Sequence, residues 1–198
     1  MSMIFPRILR RALCLIFFSV IFGVLGLVPA QAGQWYTLKT KYLTLTYENP
    51  SDLKLFNDQI DFSPDANSFS SFSNSGPPTG TGVEQALARK LDALIEKVQL
   101  ILDMRKPINI IVRIYPDKTA LHEAYFNIYQ QKKELRAWYI FEYNTIYVNV
   151  QDLFAGMLAH ESAHAIVDHF LAVRPPRATA EILARYVDSH LNEEAKIY

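Results

Sequence analysis

A chain of 198 residues, 50% hydrophobic and 20% charged, is long enough for one ordinary core and too short for two generous ones. Twenty Lys and Arg balance twenty Asp and Glu, so there is no basic surplus of the kind that holds nucleic acid. Cys14 is the only cysteine, which excludes disulfides within the chain and sites built from several thiolates.

The first 32 residues read as a signal peptide. Arg7, Arg10 and Arg11 precede an apolar run over 12–28, and Ala30 and Ala32 satisfy the small-residue rule for cleavage before Gly33. The expected location is therefore outside the cytoplasm, periplasmic or secreted, and the expected contact with membrane is through this segment alone, if it stays uncleaved. Cys14 lies inside it, ahead of most of the apolar run, a poor position for a lipid anchor. Residues 33–198 are then one domain with 17 bases against 20 acids, a net charge of −3.

Within that domain, residues 34–47 are rich in Thr, Tyr and Leu, and Leu43, Leu45 and Tyr47 alternate with Thr44 and Thr46. This is the period of a half-buried first strand, stopped by Pro50. Residues 51–82 are largely loop, apart from a helical turn around Leu53 and Phe56; over 68–82, rich in Ser, Asn, Pro and Gly, the loop is an exposed surface segment or a lid over substrate. Between Val83 and Met104 the apolar positions Leu87, Leu91, Leu94, Ile95, Val98 and Ile101 recur every three or four residues, which predicts a long amphipathic helix. The β-branched run over 108–115 reads as a central strand closed by Pro116. Asp117 can cap a further helix with Leu121, Ala124, Tyr125 and Ile128 inward. Residues 137–142 and 145–150 form a hairpin about Tyr143 and Asn144. Asp152 can cap a helix over 153–171, Pro175 and Pro176 end it, and 178–191 forms the last helix.

The segment His160-Glu161-Ser162-Ala163-His164 carries the chemistry. On a helix, residues four apart share a face, so both imidazoles can reach one metal ion. Glu161 stands one residue round from the first of them, placed to hold a water on the metal and take its proton. Zinc lowers the pKa of such a water to about 7, which makes it a usable nucleophile at neutral pH. Met157, Leu158, Ala159, Ser162, Ala163, Ala165 and Ile166 are all uncharged, as the surroundings of a buried metal-binding helix should be.

Zinc needs a third protein ligand and an open fourth position. The metzincin solution fails, because Val167 stands where its Gly would be and Phe170 where its third His would be. The next helix offers Glu181, returned toward the first by the Pro175-Pro176 turn. The stretch from Pro176 through Glu181, Leu183 and Ala184 to Tyr186 resembles the Pro…Glu-Gly-Leu-Ala-x-Tyr element of the peptidase-MA-like gluzincins, and the order of elements is similar to theirs.

That resemblance implies an α+β, zincin-like fold, with a small mixed sheet packed on the active-site helix and flanking helices. It implies one Zn2+ held by His160, His164 and Glu181, with Glu161 as base and Tyr186 as donor to the oxyanion. It also implies that the strand from Ala137 is a sheet edge which pairs with extended substrate. Two departures stand out. Ile182 replaces the family's Gly, and Arg185 occupies a position that is often acidic and supports a ligand. Asp168 and Asp188 share the faces of the ligand residues and can support an imidazole, whereas His169 and His190 complete no ligand spacing and are expected at the surface.

The expected function is zinc-dependent hydrolysis of peptide bonds in a protein or peptide substrate. Two competing expectations are a zincin-like module that keeps the metal without catalysis, and an exported domain with no metal.

Overall fold

The structure, a computed structural model, describes residues 34–62 and 82–193. The expected leader, with Cys14, and the expected loop over 68–82, apart from Gly82, lie outside the described residues.

The apparent first strand is a hairpin of β1 (Tyr36–Lys39) and β2 (Leu43–Tyr47). Its turn contains no Gly, Pro or Asn, so the usual sign of a reversal is missing. The turn is fixed from a distance instead: the Thr40 hydroxyl donates to Asp92 at 2.6 Å, and the amides of Lys41 and Tyr42 donate to the same carboxylate.

The stretch after Pro50 is a ten-residue helix, α1 (Pro50–Gln59), and not a single turn in a loop. Pro50 starts it, where a missing N–H costs nothing. Leu53, Phe56 and Ile60 give it a buried face, and Lys90 donates to the carbonyls of Asn57 and Ile60 at its end.

The long helix α2 (Gly82–Leu102) follows its sequence periodicity closely, and β3 (Ile110–Tyr115) is central. Helix α3 (Lys118–Tyr129) is capped as expected by Asp117, which accepts from the Ala120 amide at 2.9 Å. Its inner face is narrower than expected, however: Leu121 is its one buried residue and Ile128 is exposed. Strands β4 (Ala137–Ile140) and β5 (Thr145–Asn149) make the second hairpin, turning through a short 3-10 segment and Asn144 at φ 44°. Helix α4 (Ala155–Phe170) starts later than expected, because Asp152 is not its cap. Asp152 belongs to a 3-10 turn and pairs with Arg136 at 2.7 Å. The last described helix is α5 (Arg177–His190).

Among the described residues the fold is mixed α+β, with five α-helices and a five-stranded mixed sheet in the order β1-β2-β3-β5-β4. The two hairpin pairs are antiparallel and the inner pairs β2–β3 and β3–β5 are parallel. Alternation sends Leu43, Leu45, Ile110, Val112, Ile114, Ile146 and Val148 into one core with α1, α2, α4 and α5. The opposite side of β4 and β5 packs Trp138, Ile140 and Tyr147 against Leu121 of α3. Burying both sides of β5 explains why all five of its residues are inaccessible.

This arrangement leaves β4 at the edge of the sheet, beside α4, and sets α4 against α5. Buried alanines line both helices: Ala159, Ala163 and Ala165 on one, Ala180 and Ala184 on the other. Small side chains on a buried helix face let a neighbouring backbone approach closely.

A candidate metal centre between the last two helices

His160 and His164 lie one turn apart on α4, with ring centroids 5.0 Å apart and planes at 75°. The 171–176 turn reverses the chain, and α5 returns with Glu181 facing them. Its Oε2 is 3.6 Å from Nε2 of His164 and 3.9 Å from Nε2 of His160. Among the described residues this is the one group of three such donors, all within 4.8 Å of one another.

In two of the three donor residues, His160 and Glu181, another atom of the same residue is held from outside. Nδ1 of His160 is 2.9 Å from Oδ2 of Asp188. A carboxylate can only accept, so Nδ1 is the donor, and in the neutral imidazole this leaves the Nε2 lone pair free. Nε of Arg185 donates to Oε1 of Glu181 at 3.0 Å, leaving Oε2 toward the histidines. This contact, ahead of the nearby imidazoles, holds the Glu181 carboxyl below its usual range. Burial, and then the neighbouring His160, lowers the pKa of His164, which favours the neutral imidazole that a metal requires.

Glu161 is partly buried beside this group. Burial pushes its carboxyl up to about 7; His160 opposes the rise, Glu181 and Asp188 add to it, and the nearby backbone of Tyr139 on β4 also opposes it. A carboxyl that titrates near neutrality exchanges protons readily at working pH, which is the property of a general base.

The donor set suits zinc. Two imidazole nitrogens and one carboxylate oxygen are a common catalytic trio, and bonds of about 2.0–2.2 Å in a tetrahedron put ligand atoms roughly 3.3–3.6 Å apart. The separations of 3.6 and 3.9 Å from Glu181 are close to this, and no pair of donor atoms in the group is more than 4.8 Å apart, so side chains drawing inward would complete the trio.

The other residues singled out in the sequence fall elsewhere. Tyr186, five positions after Glu181, is rotated roughly 140° round the helix. It is exposed, and its ring lies 3.9 Å from that of His190. Asp168 is buried and bonds Nε of Arg174 at 3.0 Å, closing the turn between the helices. His169 is only partly exposed: its ring stacks on Phe141 and its Nε2 is 3.1 Å from the Tyr139 hydroxyl. The part played by Arg185 was hidden in the sequence, although its spacing of four from Glu181 was visible.

Comparison of the chain with protein-family models, curated proteins and solved structures returns no match.

Proposed function

We propose that the chain is a zinc-dependent peptidase of the gluzincin type, cleaving peptide bonds in a protein or peptide outside the cytoplasm. The observation that supports this most strongly is the convergence of His160, His164 and Glu181, whose donor atoms lie within 4.8 Å of one another, with Glu161 next to His160 on the same helix. On this reading His160, His164 and Glu181 hold one zinc ion. When bound, the ion supplies Lewis acidity, which polarises a carbonyl oxygen and makes a water molecule a stronger acid.

The protein groups do the rest. Glu161 takes the proton of the attacking water at its carboxylate oxygen and returns it to the departing amide nitrogen. Strand β4, at the edge of the sheet among the described residues, takes an extended substrate as an added strand. An edge strand beside a His-Glu-x-x-His helix is also what a zincin-like fold requires. Export rests on the leader pattern of Arg7, Arg10, Arg11, Ala30 and Ala32.

Elemental analysis combined with peptide hydrolysis by Glu161→Gln tests the reading. One zinc per chain in both proteins is expected, with hydrolysis reduced by about 10²–10⁴-fold in the variant. A metal-free wild type, or unchanged hydrolysis in the variant, would sink it.

The position of Tyr186 favours a second reading, in which the same residues keep the metal for structure alone. That reading gives zinc in both proteins and hydrolysis in neither.

A further inference from the structure

We propose that Arg185 is a positioning residue that confines Glu181 to ligation through one oxygen and so keeps one coordination position free. The inference rests on the zinc reading above and concerns how this chain's own α5 serves that site.

A carboxylate can give a metal one oxygen or two, and a zinc site with three protein ligands is open only if each supplies one atom. Glu181 has one oxygen already committed: Nε of Arg185 donates to Oε1 at 3.0 Å, while Oε2 faces the two imidazoles. Swinging Oε1 inward to make a second metal bond would break this charge-assisted hydrogen bond. The planar guanidinium also holds a direction, which a flexible ammonium does less well.

A purely structural role explains the pair poorly. The Arg185 side chain is 74% exposed and buries little surface, and exposed ion pairs four apart on a helix add little to stability. The local pattern points the same way. Arg185 and Asp188 lie three apart on α5, and each is bonded to the outward atom of a different ligand residue. The Asp188 carboxylate accepts a hydrogen bond from the imidazole N–H, and the Arg185 guanidinium donates one to the Glu181 carboxylate. A carboxylate at position 185 would instead repel Glu181.

Cobalt(II) substituted into the purified protein reads the coordination number directly, because four-coordinate sites absorb visible light several-fold more strongly than five- or six-coordinate ones. The wild type is expected to show the intense four-coordinate spectrum. Arg185→Ala is expected to lose most of that intensity with its circular dichroism unchanged, and Arg185→Lys to recover part of it. Chelator competition is expected to show zinc affinity in Arg185→Ala changed by about tenfold. Identical spectra in wild type and Arg185→Ala, or a weak spectrum already in wild type, would overturn this proposal while leaving the zinc site standing. A wild type that takes up no cobalt overturns the zinc reading itself, and this proposal with it.

Discussion

Oδ2 of Asp188 lies 2.9 Å from Nδ1 of His160, seven residues beyond Glu181 on the same helix. One helix thus delivers a donor atom to the centre and also sets the tautomer of the imidazole facing it. Replacing Asp188 by Ala is expected to weaken zinc binding by about 10–100-fold, and replacement by Asn, which still offers an oxygen, by less. Titration against a chromophoric chelator measures both. Equal affinities in the three proteins would mean that His160 is oriented by packing alone.

The turn that returns α5 is closed by Arg174 and Asp168, whose side chains are 52% and 3% exposed. Arg174→Ala leaves a buried carboxylate without its partner. Because the arginine itself reaches solvent, the expected cost is about 1–2 kcal/mol, below that of breaking a fully buried pair. In a thermal melt this lowers the midpoint by about 2–8 °C. Adding Asp168→Asn should restore part of the loss, and simple additivity of the two changes would argue against the pairing.

Ala184 is fully buried where α5 meets the core. Ala184→Leu has no room for its extra carbons without moving the helix, so it is expected to cost about 1–3 kcal/mol. Since the displaced helix is the one that carries Glu181, zinc affinity should fall along with stability. A folded, destabilised variant with wild-type affinity would show that the donors adjust independently of the helix.

Asn144 sits at φ 44° between β4 and β5, and its amide donates to the carbonyl of Asn109. Asn144→Val places a β-branched residue in the left-handed region and removes that bond, at an expected cost of about 1–3 kcal/mol. Asn144→Gly is expected to recover the backbone part of this and not the hydrogen bond. Denaturant midpoints of the two variants separate the contributions, and equal midpoints would remove backbone strain from the account.

Where one periodicity dominated, the elements were legible in the sequence. Leu87 through Val98 and Ile110 through Ile114 announce α2 and β3, because the core selects apolar residues at helical and strand spacing. Helix α1 was harder to read, because Pro50 fits both a strand stop and a helix start, and its apolar face is short. The β1–β2 reversal was hidden because Asp92, 52 residues after Thr40, does the work that a turn-forming residue normally does locally.

At the site, the spacing of His160 and His164 and the Pro175-Pro176 turn were enough to expect their convergence with Glu181. The position of Tyr186 depends instead on how α5 is rotated, which Ala180, Ala184 and Val187 set by being its buried residues. Arg185 looked like a misfit until Glu181 was seen to have a second oxygen in need of a partner.

The route of the chain between the two halves of the centre has a further consequence. His164 and Glu181 are joined only through the end of α4, the 171–176 turn and the start of α5. An ion gripped by both would close that stretch into a ring and act as a removable rivet, a role that disulfides fill in many exported proteins and that a chain with Cys14 as its only cysteine cannot fill that way. Stripping the ion would then loosen the C-terminal helix first, ahead of the sheet, and the amides of α5 would exchange with solvent sooner than those of β3.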